Sequence, residues 1–188
     1  MKEFLVFFLS MFTIYLLINI TQNNNGMLRI VSPDDGIEYI VRDLPDSLQA
    51  VKKLSNINRK INNLLNSLEN NEKNIKLKEK YKSTILLETK EDSTYTSYSV
   101  NKGEQISLCI RSKLDNKLYE EDNTIIFVMI HELAHVMSKS IGHTQEFWDN
   151  MKYLLIKAHE LNIYNPIDYS ENNIDYCGIK IKTTPYDF

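Results

Sequence analysis

Residues 125–135 read Ile-Ile-Phe-Val-Met-Ile-His-Glu-Leu-Ala-His, an apolar run that ends in two histidines four positions apart. An apolar run of this kind, continued by a His-Glu-x-x-His pattern, predicts a helix over residues 122–139 that is buried in the domain core. On a helix, positions i and i+4 differ by about 40° in azimuth, so His131 and His135 should project from one face. Glu132 lies about 100° around the axis from His131.

Two imidazoles in this arrangement can bind one zinc ion through their ring nitrogens. Zinc activates a water molecule by lowering its pKa toward about 7, and Glu132 would take the proton as general base. A catalytic zinc has three protein ligands and one open position. His143 is the candidate third ligand, because it follows Gly142, which can turn the chain back in a left-handed conformation. The pattern therefore predicts a zinc-dependent hydrolytic site.

Two other interpretations of the same residues stay open at this point. The buried histidines and glutamate could satisfy each other by hydrogen bonds, or zinc could be structural, with a fourth protein ligand closing the site. Candidates for that fourth ligand are His159, Asp168 and Asp175. In a gluzincin-type alternative a carboxylate on the next helix, Glu146 or Glu160, would be the ligand, and His143 fits better. We expect His159 to be a surface or packing residue. Tyr169 and Tyr176 are both candidates for a hydrogen bond to the transition state.

The N-terminal segment is a separate feature. Residues 4–20, FLVFFLSMFTIYLLINI, carry no charge and would span roughly 25 Å as a helix, which favours a retained transmembrane anchor. A cleaved signal peptide is the alternative, but the residues that follow lack a small-x-small cleavage site. Lys2 and the amino terminus favour a cytosolic N-terminus by a small margin.

We expect three parts along the chain. Residues 1–21 form the anchor, residues 22–36 a linker and lead-in with the folded part starting near Met27, and residues 37–188 the catalytic domain. Turn residues and β-prone runs predict strands at 37–42, 84–89, 95–100, 105–111 and 176–182. Helical spacing of apolar residues predicts further helices at 47–68, 72–82 and 144–162. Strands followed by paired helices indicate an α+β fold.

Local signals refine this outline. Asp46 and Gln49 form a capping-box pattern at the start of the helix at 47–68, and Thr144 should cap the last helix. The turn at residues 101–104 predicts a β-hairpin. Residues 106–110 could be a sheet edge that binds substrate as an added strand, and a plain core strand is the alternative.

Composition and cysteine content limit the partners and the compartment. The net charge of −3 provides no overall basic field, so we expect no nucleic-acid partner. Cys109 and Cys177 are too few for a disulfide scaffold and stand in no CxxC motif. We expect two buried free thiols, while a single disulfide would require that the domain face an oxidising compartment.

Three segments together resemble the WLM family of SprT-like zinc metallopeptidases: NKGEQISLCIR (101–111), IIFVMIHELAH (125–135) and GHTQEFW (142–148). The resemblance implies a zincin-like α+β domain with a small mixed sheet and an HExxH active-site helix, acting on protein or peptide substrates. It also implies zinc ligands and a general base, namely His131, His135 and His143 with Glu132, and it makes Phe147 and Trp148 packing residues behind the third ligand.

The resemblance extends to two kinds of protein. Some members in eukaryotic nuclei resemble repair proteases that cut proteins crosslinked to DNA, but the predicted anchor at residues 4–20 does not fit that role. Anchored single-domain members resemble proteins encoded by large DNA viruses. This implies a single-pass protein of a host membrane or of the virion membrane.

Overall fold

The computed structural model describes residues 26–188, so the predicted anchor at residues 4–20 lies outside the described part of the chain. Within residues 26–188, no helix is long and apolar enough to cross a membrane. This part folds into seven strands and four helices: β1 (Met27–Val31), β2 (Glu38–Arg42), α1 (Ser47–Ser67), α2 (Glu72–Lys82), β3 (Ile85–Glu88), β4 (Tyr98–Val100), β5 (Gln105–Leu108), α3 (Asn123–Met137), α4 (Gln145–Glu160), β6 (Ile174–Tyr176) and β7 (Ile179–Ile181). The expected α+β class is confirmed.

Five strands form one small mixed sheet in the order β1-β2-β3-β5-β4. β2, β3 and β5 run parallel, while β1 and β4 pair antiparallel with their neighbours at the two edges. β5 is therefore an interior strand, and the suggestion that residues 106–110 form an edge is wrong. The predicted hairpin forms and places β4 outside β5, so that β4 is the edge strand of the sheet. β4 also lies next to α3.

The helices form the core with this sheet. α1 packs on β2 and β3, and α3 packs on β5 and β4 as well as on α2 and α4. The apolar positions that recur along α1, including Leu54, Ile57 and Ile61, are fully buried. Ile126 and Ile130 of α3 are also fully buried. The active-site segment predicted from the sequence thus lies on a helix fixed from several sides.

Two segments differ from expectation. The lead-in contains strand β1, which pairs with β2 along its whole length from Met27 opposite Arg42 to Val31 opposite Glu38. The single strand expected at residues 176–182 is the second half of a hairpin. Cys177 and Gly178 both have positive φ, 50° and 82°, and form a two-residue turn between β6 and β7.

The capping box expected at Asp46 does not form, since the Asp46 side chain accepts no backbone N–H of α1. Its carboxylate instead accepts a hydrogen bond of 2.6 Å from Arg111, which is almost fully buried and also donates to Glu88 at 2.6 Å. A buried guanidinium is costly unless carboxylates pair with its charge. Pairing Asp46 with Arg111 therefore stabilises the protein more than a cap on α1 would.

Cys109 and Cys177 form a disulfide, with Cα atoms 6.4 Å apart. The expectation of two free thiols is therefore wrong. The Tyr176 hydroxyl donates a 2.7 Å hydrogen bond to the Cys109 carbonyl, which brings the β6–β7 hairpin onto the end of β5. Neither the spacing of the cysteines nor their neighbours in sequence shows this contact.

Candidate metal centre

Three histidines converge at the C-terminal half of α3. His131 Nε2 lies 3.2 Å from His135 Nε2 and 3.2 Å from His143 Nε2. The possible ligand atoms of the three residues all lie within 4.8 Å of one another. The structure therefore brings together the three histidines that were predicted as ligands.

A short loop returns the chain to place His143. α3 ends at Met137, and the Glu146 carboxylate accepts backbone N–H groups of Lys139 and Ser140 at 3.1 and 3.0 Å. These N–H groups lower the pKa of Glu146 to about 2. Gly142 has the predicted left-handed conformation, with φ of 82°. Together these features direct the chain back over the first turn of α4.

α4 supports the cluster from behind. Thr144 accepts from the backbone N–H of Phe147 at 3.4 Å, which confirms the predicted cap. The fully buried Phe147 ring has its centroid between 4.3 and 4.8 Å from the three imidazole centroids. The ring centroid of Trp148 lies 5.5 Å from the imidazole centroid of His143. Both aromatic residues occupy the packing positions expected of them.

The donor set fits a divalent metal ion. Burial, with the charges of His135 and His143, lowers the pKa of His131 to about 3. Burial, with the charges of His143 and Lys102, lowers the pKa of His135 to about 4. At neutral pH these two rings are therefore neutral, as metal ligands must be. Nitrogens bound tetrahedrally to zinc lie about 3.3 Å apart, close to the two distances observed, and three imidazoles suit zinc.

Glu132 lies beside the cluster without joining it. Its side chain is nearly inaccessible, and burial raises its pKa to about 7, while the hydroxyl and N–H of Ser99 act in the opposite direction. Ser99 is the middle residue of the edge strand β4. The carboxyl group of Glu132, the residue after His131, is thus bonded to a strand that could receive an extended peptide.

A cavity of about 310 Å³ opens next to His131 and Glu132. Its wall is mainly apolar, and its lining includes Phe127, Val128, Trp148, Met151, Ile179 and Ile181. Tyr176 also lines it, but its hydroxyl is already donated to Cys109. The cavity can therefore take a large apolar side chain, and the β6–β7 hairpin forms one side of it.

The other candidate residues have different surroundings. Among residues 26–188, no fourth His, Cys, Asp or Glu joins the three histidines. His159 pairs with the Tyr186 hydroxyl at 2.6 Å, and Asp168 accepts from the backbone of Ser170. Glu160 pairs with Lys157, and Asp175 is exposed on β6. Tyr169 packs on Phe127, with ring centroids 4.6 Å apart.

Sequence reasoning missed Ser99 and the role of β4. Ser99 has no special spacing from the histidines, and only the pairing of β4 outside β5 places it near Glu132. The three-residue strand is too short for its alternation to indicate which side of the hairpin is the edge.

The fold and the site define a class: mixed α+β domains in which a helix and the following loop bring three histidines together. Within that class, the model of the WLM domain matches residues 43–178, and the chain belongs to the WLM-domain family. The resemblance found in the sequence is thereby confirmed.

Viral proteins are among the relatives. The chain is 32% identical over 151 residues to an uncharacterized protein of Acanthamoeba polyphaga mimivirus, with 76% of each protein covered. It is 34% identical over 128 residues to an uncharacterized protein of Invertebrate iridescent virus 6, covering 68% of this chain and 65% of that protein.

Solved structures agree on the fold. Wss1 from Saccharomyces cerevisiae matches with a TM-score of 0.50 at 22% identity, covering 63% of this chain and 83% of that chain. A mutant of the same yeast protein matches with a TM-score of 0.52 at 21% identity, covering 65% of this chain and 88% of that chain.

Proposed function

We propose that this protein is a membrane-anchored zinc metallopeptidase that hydrolyses peptide bonds of protein substrates. The observation that carries the proposal is the convergence of three imidazole nitrogens on one point, with Glu132, the residue after His131, hydrogen-bonded to Ser99 of the edge strand β4. His131, His135 and His143 would hold the metal. The HExxH helix and the zincin-like character of the domain are part of this proposal.

Zinc in this position would polarise the scissile carbonyl and make a water molecule acidic. Glu132 would accept a proton from that water and later deliver it to the leaving amine. Its apolar surroundings favour a carboxyl group that can exist in both protonation states near neutral pH. Phe147 would keep the three rings at a fixed separation and exclude solvent from behind them.

The substrate would bind as an extended strand along β4, whose outer edge pairs with no other strand of residues 26–188. The backbone would supply the hydrogen bonds of strand addition, and the adjacent cavity would take one apolar side chain. Phe127, Val128 and Met151 would determine which side chains fit.

Anchoring through residues 4–20 is a further part of the proposal. It would confine the peptidase to protein substrates at a host or virion membrane. A nucleic-acid partner is not proposed, since the chain carries a net charge of −3.

The test uses the full-length chain in a neutral detergent, and it measures zinc per chain and cleavage of unfolded protein. We expect one zinc in the wild type, and loss of most of it in His143→Ala. Glu132→Gln should keep the zinc and lose at least about 100-fold in kcat, because a positioned general base contributes about that much.

Either part of the test can contradict the proposal. Cleavage that survives Glu132→Gln would exclude Glu132 as the base. If the wild type holds zinc, shows no hydrolysis of any substrate and loses its fold on chelation, the metal is structural and the catalytic proposal is wrong.

A further inference from the structure

A second groove, of about 690 Å³, lies between α2 and the end of α3. Five lysines line it, together with Glu72 and Glu146: Lys73, Lys76, Lys80, Lys102 and Lys139. Five positive and two negative side chains give a local charge of +3, whereas the whole chain carries −3. The positive charge is therefore concentrated at one place.

The helical period of α2 produces this concentration. Lys73, Lys76 and Lys80 lie within about 60° of each other around the axis, on the flank beside the face that buries Leu77. The packing of that buried face, which fixes α2, therefore leaves three ammonium groups on the side that lines the groove. Lys102 reaches it from the turn after β4 and donates to the carbonyls of Ser138 and Lys139 at 3.0 and 2.8 Å.

These cations outnumber the two acidic side chains that line the groove with them. Within residues 26–188, none of the five lysines forms an ion pair with a carboxylate. Glu146, one of the two acids in the lining, is already held by the N–H groups of Lys139 and Ser140. Burial lowers the pKa of Lys80, and the neighbouring charges of Lys76 and Lys102 add to that effect. The groove is thus an unneutralised anion-binding surface.

The groove is continuous with the proposed substrate path. β4 passes Glu132 at Ser99, ends at Val100 and leads directly into the turn that carries Lys102. Val136, the residue after His135, lines the groove floor. A peptide lying along β4 would therefore extend from the apolar cavity past the histidines and into the lysine groove.

We infer that the groove binds acidic side chains of the substrate a few residues to one side of the scissile bond, so that the enzyme selects acidic segments of proteins. The inference rests on the proposed peptidase activity. A protein segment suits the groove better than a nucleic acid does, because the groove follows the proposed substrate strand β4 and the remainder of the chain adds no net positive charge.

The test compares three peptides with the full-length chain in neutral detergent. All have the same central sequence, and they carry a block of glutamates before it, the same block after it, or glutamines in both places. One of the two acidic peptides should be cleaved with a kcat/KM about tenfold above the other two, since the lysines lie on one side only. Equal rates for the two acidic peptides would overturn the inference.

Reversing the charge of two lysines, either inside or outside the groove, gives a matched pair of variants. Lys76→Glu with Lys80→Glu should abolish the preference, whereas Lys52→Glu with Lys82→Glu should retain it. Lys52 and Lys82 are exposed and lie outside the groove, and their reversal changes the net charge equally. A preference that survives the first pair of substitutions would show that the groove does not select acids.

A binding measurement separates this inference from the proposed function. Fluorescence anisotropy of the preferred acidic peptide with Glu132→Gln should show binding that weakens about tenfold when the groove charges are reversed or when salt is raised to about 0.5 M. Absence of all cleavage with groove binding intact would contradict only the peptidase proposal. A DNA oligonucleotide that binds more tightly and displaces the peptide would assign the groove to nucleic acid and overturn the inference.

Discussion

At the residue scale, Gly103 determines how closely the turn after β4 approaches the active-site helix. Its φ is +104°, and a Cβ atom added there would lie 2.9 Å from Cγ2 of Val136. We expect Gly103→Ala to destabilise the protein by about 2–3 kcal/mol, since it adds both backbone strain and a steric collision. The same substitution should displace Lys102 and weaken binding of acidic peptides.

The control is Gly36→Ala. Gly36 also has a positive φ, of +70°, but a Cβ atom there would meet no atom within 4 Å. It therefore isolates the cost of the backbone conformation, about 1 kcal/mol. Urea unfolding of both variants measures the difference, and equal losses would contradict a collision with Val136.

The residues of the metal centre were predictable to different degrees. His131, Glu132 and His135 follow from the helical period alone, since four residues make slightly more than one turn. His143 required Gly142, whose freedom to adopt a left-handed conformation is readable from sequence. Ser99 was not predictable, because its place beside Glu132 depends on which strand of the hairpin lies outside.

At the scale of elements, one carboxylate connects two helices. Asp122 precedes α3 and accepts from Lys53 at 2.6 Å and Lys60 at 2.8 Å, both on α1. Asn56 donates to it as well, at 2.8 Å. Burial raises the pKa of Asp122, but the two ammonium groups lower it by more, and the net pKa lies below the usual range.

We expect Asp122→Asn to cost about 2 kcal/mol at neutral pH, the usual contribution of hydrogen bonds to a charged group. Since the folded-state pKa is lower than the unfolded value of about 4, the stabilisation is complete above that value and is lost as pH falls through the folded-state pKa. The stability curves of wild type and variant should therefore converge as the pH falls below the unfolded-state pKa of Asp122, about 4. Asp175→Asn, at an exposed position on β6, is the control, and a constant difference across pH would contradict the prediction.

A second connection between elements is the disulfide, which attaches the β6–β7 hairpin to the end of β5. The bond closes a loop of 68 residues, for which chain entropy gives up to about 4 kcal/mol of stabilisation. Reducing agent should therefore lower the melting temperature of the wild type. Reducing agent should leave the melting temperature of the doubly substituted Cys109→Ser, Cys177→Ser protein unchanged.

Counting the reactive thiols of the wild-type protein is the measurement that can contradict this prediction. Two reactive thiols in protein unfolded without reductant would show that the bond is absent. The double variant should also lose selectivity for the apolar side chain, because the hairpin it releases lines the cavity beside Glu132.

Most elements were predictable because each carries its own pattern. The helices at 47–68, 72–82 and 144–162 end within two residues of the structural bounds, since apolar spacing and capping residues are local signals. The disulfide joins positions 68 residues apart, and patterns along the chain do not contain that contact. β1 and β6 are short strands whose pairing with the next strand has no clear alternating pattern to indicate it.

At the scale of the whole molecule, the disulfide bears on membrane orientation. A stable disulfide belongs to an oxidising compartment, and the charges near the N-terminus favour a cytosolic amino end. We therefore expect residues 26–188 to face the lumenal or extracellular side. Protease added to sealed microsomes should leave this domain intact until detergent is added, and removal of residues 2–21 should release it from the membrane fraction. A domain digested in sealed microsomes would contradict this orientation.

The position of the disulfide along the chain has one more consequence. The bond between Cys109 and Cys177 encloses all three histidines within one covalent loop. Ile141 in that loop is 90% exposed and lies two residues before His143. If the proposed peptidase cuts itself there, the two pieces stay joined and keep the mobility of a single chain on a gel run without reductant. Full apparent length on such a gel is therefore no proof of an intact backbone. Self-cleavage becomes visible only after the disulfide is reduced.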